Sequence, residues 1–539
     1  MNIIKTLKHN IKEAASKCGF NLSEDEIVIE MSKDNQHGDY ATSVAMQLAK
    51  AARSNPRQIA ASLCDSLDKT ICEKIEIAGP GFINFFLKEG VLASIIETII
   101  SENDAYGASD HGNGTMVNVE FVSANPTGAL HLGHARGAAL GDVIARLLKK
   151  VGYGVTKEFY VNDAGAQIDN LAKSIHVRYQ ELFGRTAALP EDGYHGHDII
   201  DIATEIKDAY GDKYLDDLDL PFFKAEGIRR QLERIRADLD FFRVNFDVFS
   251  YETDVRNAGA MHEVRQKLTP YLYELDGALF LKTTAFGDDK DRVVVKSDGK
   301  YTYFWPDIVY HLDKLRRNHR FLIDILGADH HGYISRMVAA LAMLGYPTDT
   351  LDVEILQLVR LIKDGQEMRM SKRTGVGVTL RELCTDVGVD AARYFFVARA
   401  SSSHLDFDID LANSASNANP VYYAQYAHAR LCSLLSAGAN LGIDVSGTGL
   451  VTPEEKQLLR HLGQFRDEVL DAALTKSPYK ITNYVQKLAT YTHSFYTICR
   501  VIDKENISLS QARLALVKAS RITMANALDL LGVTAPFKM

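Results

Sequence analysis

Two histidines one helical turn apart, His131 and His134 in the run ANPTGALHLGHARG, are the side chains best spaced for chemistry in this sequence. They share a face at the start of a helix, where unpartnered backbone N–H groups and the positive end of the dipole attract phosphate. Two imidazoles there can donate hydrogen bonds to phosphate oxygens, and Gly133 between them leaves room for a nucleotide against the backbone. Capping of the helix is the competing role for both rings. A second run, MRMSKRTG, gathers Arg369, Lys372 and Arg373 around Met370 and Ser371 in a loop that ends on glycine. Such cations neutralise a departing pyrophosphate without any shift of pKa. Taken alone, the loop reads equally as a solvated basic turn. The phosphate loop, the dinucleotide fingerprint, the zinc helix and the nucleophile elbow find no match, which argues against P-loop ATPases, dehydrogenases, zincins and α/β-hydrolases. Tyr194-His-Gly-His197 has no third ligand near it in sequence, so no metal site is expected.

The elements that must hold these runs follow from periodicity. A β-branched and aromatic strand over 116–123 leads through a Pro-Thr-Gly turn into a helix whose Leu140, Val143, Ile144, Leu147 and Leu148 recur every three or four residues. A strand over 155–161 follows, which is the β-α-β order of a parallel sheet. The histidines then lie beyond the carboxyl end of its first strand, where open α/β sheets bind ligands. Residues 189–291 are heavily charged and read as a mostly helical insertion. Strand-like runs over 301–304, 321–326 and 353–361 and a helix over 334–344 complete the sheet. Upstream, residues 1–112 read as a small α/β unit with helices over 40–52 and 56–67 and a strand pair in IEIAGPGFINFFL. The glycine-rich DAYGASDHGNG marks its end. Beyond residue 415 the pattern is wholly helical.

At about 150 residues per domain, 539 residues imply three or four domains. With 46% apolar and 24% charged residues the composition is that of a soluble globular protein. The longest near-apolar stretch, 91–100, is far short of the roughly 20 residues a bilayer requires. The amino terminus has no signal-peptide pattern, so a cytosolic protein is expected. Six scattered cysteines suggest reduced, mostly buried thiols. The net charge of -9 is unevenly spread: residues 416–539 carry 13 Lys+Arg against 9 Asp+Glu, so a polyanion would prefer that end.

The two signature runs together resemble the HIGH and KMSKS motifs of class I aminoacyl-tRNA synthetases. EFVSANPTG (120–128), YVNDAGAQ (160–167), GADHHG (327–332), DVGVDAAR (386–393) and NPVYYAQYAHAR (419–430) extend the match to the arginyl-tRNA synthetases, the bacterial type in particular. HGDYATSVAMQLAK and PGFINFFL resemble that family's additional N-terminal domain, and NALDLLGV its helical anticodon-binding domain, so nearly the whole chain is covered. The resemblance implies a class I Rossmann-type parallel-sheet catalytic domain (113–415) with an inserted, mostly helical subdomain (about 189–291) and a KMSKS-like loop (369–373). It also implies a small N-terminal α/β domain (1–112) that binds tRNA and an all-α anticodon-binding domain (416–539).

The same resemblance implies an arginine–tRNA ligase acting on L-arginine, ATP and tRNA-Arg as a monomer with no membrane partner, Mg2+ arriving with ATP. Attack by the 2'-hydroxyl, and a need for bound tRNA during activation, rest on it alone. It assigns His131, Gly133 and His134 to the α-phosphate, Lys372 with Met370 and Ser371 to the β and γ phosphates, and Asp329 and His330 to the ribose and adenine. Glu120, Ser123, Asn125, Tyr303 and Asp307 fall at its arginine-binding positions. A guanidinium offers five N–H donors in a planar fork, which two carboxylates and a tyrosine edge can satisfy, whereas a lysine ammonium in the same pocket would leave acceptors unpaired. Phe82 and Asn84 match positions that meet the outer corner of tRNA. Tyr423 and Tyr426, one turn apart, are placed to stack on anticodon bases. Each of these aromatics also suits a core, as does Trp305, the only tryptophan, beside the expected pocket. Arg369 stands where the family pattern begins with lysine and keeps its charge. A small-molecule nucleotidylyltransferase would share the histidine site but has no use for the basic helical domain. A catalytically idle RNA-binding protein would have no need of His131, His134 and Lys372.

Overall fold

The computed structural model describes residues 3–32, 37–88, 90–216, 218–257, 259–328, 332–368 and 378–539. At its centre is a five-stranded, all-parallel sheet. Its strands are β1 (Met116–Glu120), β2 (Gly154–Val161), β3 (Val248–Tyr251), β4 (Phe321–Gly327) and β5 (Leu351–Leu356), and their spatial order is 3-2-1-4-5. The order reverses between β1 and β4, where Glu120 and Asp324 are register partners. A crevice outside the carboxyl ends of those two strands is the place such a sheet offers a ligand.

Helix α1 (Leu132–Lys150) follows β1 and is buried over most of its circumference. Its small and unbranched residues favour the helix, two lysines complement its last turn, and Gly152 at φ +92° ends it. Arg136 donates to the carbonyls of Gln357 (2.7 Å) and Ala400 (2.9 Å), fixing the helix start to the chain beyond β5. Asp142 accepts from Arg393 (2.6 Å), whose Nε in turn donates to the Leu531 carbonyl (3.1 Å). The helix that begins at the two histidines is thereby tied to the end of the last helix of the chain. Opposite, α2 (Phe304–Arg316) packs its apolar face against the helix Tyr333–Met343 and carries Asp307, His311 and Lys314 on one side.

The N-terminal unit is a four-stranded antiparallel sheet with helices Ile3–Lys17, Val44–Ala52 and Pro56–Ser66. The carboxyl-terminal part is built from helices Pro420–Ala437, Pro453–Gly463, Phe465–Leu474, Tyr479–Ile498 and Ile507–Leu530. One apolar core runs through the N-terminal unit, α1 and these helices.

Some expectations need correction. Residues 353–361 are not one strand: Leu351–Leu356 lies in the central sheet, and Val359–Lys363 pairs in a separate three-stranded sheet. The segment 189–291 is not set apart from the sheet: after helices His197–Tyr210 and Leu220–Phe241 it supplies β3, the edge strand of the central sheet. It then enters a three-stranded antiparallel sheet over 272–295. Residues 301–304 are no strand, because α2 starts at Phe304 with Pro306 in the first turn, where a missing N–H costs nothing. Residues 40–52 divide into a strand, Tyr40–Thr42, and a helix from Val44. Among the described residues no helix is long and apolar enough to cross a membrane.

Candidate active site

The two histidines cap α1 reciprocally. His131 occupies the N-cap, where its Nδ1 accepts from the Gly133 N–H (3.1 Å), while its own N–H donates to His134 Nδ1 (3.3 Å). The rings stack with centroids 3.7 Å apart. Since both Nδ1 atoms accept, both neutral rings carry their proton on Nε2, and each has one donor left over. Burial lowers the pKa of His131; burial and then His131 lower that of His134 to about 3. Capping and phosphate binding are therefore compatible roles, using opposite edges of the same rings. Gly133 has a local reason to be glycine, because a Cβ there would lie 3.1 Å from His131 Cε1.

His131 also forms a bridge with Thr379, and the Leu380 N–H donates to the Leu130 carbonyl (2.7 Å). Lys372, Met370 and Ser371 lie outside the described residues, as do Asp329 and His330. The first residues described after the basic loop are thus paired directly to the histidine turn.

The chain leaving β1 is strained. Val122 (φ +68°) and Ser123 (φ +37°) both lie in the left-handed region, which a β-branched residue rarely enters. What this achieves is visible in Ser123, whose Oγ donates to Glu120 Oε1 (2.8 Å) and accepts from the Tyr160 N–H (3.1 Å). Glu120 itself is 7% exposed. Its Oε2 accepts from Lys314, a lysine with no exposed surface that also donates to Asp324 Oδ1 (3.0 Å). Burial opposes the Lys314 charge, but Asp324, Glu120 and Glu158 outweigh it and hold its pKa above the usual lysine range. His311 Nδ1 meets the Asp307 carbonyl (2.8 Å) and its Nε2 meets Asp324 Oδ2 (2.8 Å).

Asp307, in the first turn of α2, differs from its neighbours. No hydrogen bond to its carboxyl oxygens is found among the described residues. Burial pushes its pKa up to about 7; His311 and Arg336 pull it down, and Glu120 and Glu252 add to the rise. Beneath it all, Glu158 is fully engaged by Arg317 (2.8 and 2.9 Å), Ser250 (2.6 Å) and Tyr310 (3.0 Å). Burial would raise its pKa, but these partners and Lys314 hold it down at about 2.

The remaining expected residues are placed less uniformly. Asn125 is exposed and donates to Gln167 Oε1 (2.8 Å). Tyr303 is 77% exposed at the start of α2, outside the buried carboxylate cluster. Trp305 is fully buried in the core of α2 beside Tyr301. Phe82 stands partly exposed at a strand start, but Asn84 is only 4% exposed, paired between two strands. Asn84 thus stands on the sheet next to Phe82 with little surface of its own. Tyr423 and Tyr426 are half-buried, and both rings lie against His493, at 4.7 and 5.8 Å between centroids. Lys314, His311, Asp324 and Glu158 went unremarked in the sequence. The signal for the first two was polar side chains at i, i+4 and i+7, counted from Asp307, along one face of the helix.

Family comparisons cover this architecture end to end. A family model described as the arginyl tRNA synthetase N terminal domain matches residues 5–87. The class I (R) tRNA synthetase catalytic domain matches 95–430, and the DALR anticodon binding domain 424–539. An arginine--tRNA ligase of Shouchella clausii is 53% identical over 524 residues, spanning 95% of this chain and 94% of the relative. That of Bacillus subtilis is 50% identical over 548 residues, spanning 99% and 98%. The solved Thermus thermophilus arginyl-tRNA synthetase superposes with a TM-score of 0.79 at 23% identity, covering all of both chains.

Proposed function

The chain belongs to the arginyl-tRNA synthetase family, and on that premise we propose how its residues divide the work of the reaction. The enzyme activates L-arginine with ATP to arginyl-adenylate and pyrophosphate. It then passes the arginine to the 3'-terminal ribose of tRNA-Arg and releases AMP. In our reading ATP lies across the N-terminus of α1, with the Nε2–H groups of His131 and His134 directed at the α-phosphate. Neutral donors suit that position, since they stabilise charge developing on the phosphorus oxygens and need no change of protonation. Lys372, with Met370 and Ser371, holds the β and γ phosphates. The Thr379 bridge to His131 supports this by anchoring one end of that loop beside the histidines. Asp329 and His330 take the ribose and adenine, and Mg2+ travels on the phosphates, oxygen ligands that suit it.

Arginine lies in the crevice between β1 and β4, its cationic groups against Glu120 and Asp307, with Ser123, Asn125 and Tyr303 at the rim. The observation that carries this reading is the half-buried Asp307 carboxyl, to which no hydrogen bond is found among the described residues. A guanidinium would supply it with donors in a planar fork. The division into 1–112, 113–415 and 416–539, the monomeric state and a cytosolic location belong to the same proposal. So do the contacts of Phe82 with the tRNA corner and of Tyr423 and Tyr426 with anticodon bases. ATP–pyrophosphate exchange with each amino acid in turn, with and without total tRNA, tests it. Exchange driven by arginine alone is expected; exchange driven by any other amino acid would remove the specificity claim.

A further inference from the structure

Lys314 is the least expected group in the crevice. An ammonium with no exposed surface is costly to bury, and pairs of this kind are often replaceable by apolar side chains without loss of stability. Its position has a different consequence. A carboxylate has about four lone-pair sites. On Glu120, Ser123 takes one on Oε1 and Lys314 one on Oε2, which leaves one on each oxygen for a donor entering from the crevice.

The same ammonium neutralises a crowd of like charges. Glu120 faces Asp324 across the strand pair, Glu158 lies below, and Asp307 looks in from α2. Close carboxylates cannot all stay ionised: without a cation, one or more takes a proton. Lys314 bonds Glu120 and Asp324 but not Asp307. Around Asp307 stand His311 on its own helix, Glu120 from β1, Arg336 from the helix Tyr333–Met343 and Glu252 from the helix after β3. The two pocket carboxyls are therefore on unequal footing: Glu120 is hydrogen-bonded to a buried cation, and among the described residues Asp307 is not.

We propose that Lys314 is a positioning residue of the arginine pocket: its ion pair aims the Glu120 carboxylate into the crevice, and Asp307, which that ammonium does not bond, is the carboxyl that exchanges a proton for the substrate's cation. This rests on the arginine pocket proposed above and adds to it the order in which its charges form. On binding, the Asp307 O–H bond breaks, the proton leaves to buffer and the guanidinium takes its place; Glu120 keeps Ser123 and Lys314 and gains the substrate's donors on its remaining lone pairs.

The test counts protons. Arginine is titrated calorimetrically into the full chain at pH 6.5, in buffers of different ionisation enthalpy. The wild type is expected to release about three-quarters of a proton, Asp307→Asn close to none, and Glu120→Gln somewhat fewer than the wild type but well above none, because a neighbouring charge that raises the Asp307 pKa is gone. Lys314→Met is expected to bind arginine at least about tenfold more weakly and to release at least half a proton more than the wild type, because the carboxyl cluster has lost its cation. Adding Glu120→Gln to Lys314→Met should return the count to the wild-type value. If Lys314→Met does not fold, Lys314→Met with Asp324→Asn strands one carboxylate fewer and is read in the same way. A merely structural lysine would weaken binding and leave the proton count unchanged, and that result overturns the proposal. So does a Glu120→Gln enzyme that has lost the release, an outcome that needs no change at Lys314. Failure of the wild type to bind arginine would instead sink the pocket itself.

Discussion

Arginine affinity should depend on pH through one side chain. With a pKa of about 7, Asp307 is ionised in roughly one free molecule in eleven at pH 6 and in about three of four at pH 7.5. Its burial favours the neutral acid, whereas a bound guanidinium favours the anion, so arginine binds to the ionised fraction and drives the proton off. The sign follows directly: affinity rises with pH through 7 and is lost below it. If the bound state stays ionised throughout, the dissociation constant should be about eightfold larger at pH 6 than at pH 7.5, or about 1.2 kcal/mol. His134, at about 3, does not confuse this range. Isothermal titration of the full chain with arginine, without ATP or tRNA, reads the constant. Asp307→Asn should bind more weakly and with a flat profile over the same interval. A flat profile in the wild type, or an unchanged slope in Asp307→Asn, would refute the assignment of the proton to this carboxyl.

Lys372→Ala should slow pyrophosphate exchange by at least about a hundredfold while changing the arginine dissociation constant less than about threefold; equal losses in both would contradict a leaving-group role. Gly141→Ala would put a Cβ 2.2 Å from the Phe121 ring. It should cost about 1 to 3 kcal/mol in urea unfolding, and an unchanged midpoint would mean the ring can step aside. Tyr426→Ala should weaken tRNA binding in a filter assay by about 1 to 3 kcal/mol if its ring stacks on a base, and leave it untouched if the ring only packs on His493.

Much of the architecture was legible because its signals are local. The 3.6-residue period of α1 and the β-branched run of β1 depend on neighbours in sequence, and both elements form there, though the strand expected over 116–123 ends at Glu120, before the left-handed turn at Val122 and Ser123. What local signals could not carry was pairing. β3 is four half-buried residues in a charged stretch, and only its contact with β2 makes it part of the central sheet. Tyr40–Thr42 is likewise a strand only because Phe82–Leu87 lies beside it. Asn84 also takes its low exposure from the strands on either side of it, which no local pattern records.

The candidate site divides along the same line. Residues such as His131, His134 and Asp307 could be named from motifs, yet their chemistry is set by partners far away in the chain. His131 could be read as a cap or as a phosphate ligand, and the bonds to Nδ1 make these one role with two edges. Glu120 and Asp307 look interchangeable in sequence, whereas Lys314, 194 positions from Glu120, makes the first a paired anion and leaves the second to titrate. The strain at Val122 and Ser123 has the same origin. The backbone enters a disfavoured region there, at a cost of order 1 to 3 kcal/mol per residue, and in that conformation Ser123 spans Glu120 and the Tyr160 amide at once. A relaxed turn would leave Glu120 held by Lys314 alone and free to pivot. The strained turn and the buried lysine therefore fix the two oxygens of one carboxylate, and a planar, forked cation is the ligand that gains most from having both fixed.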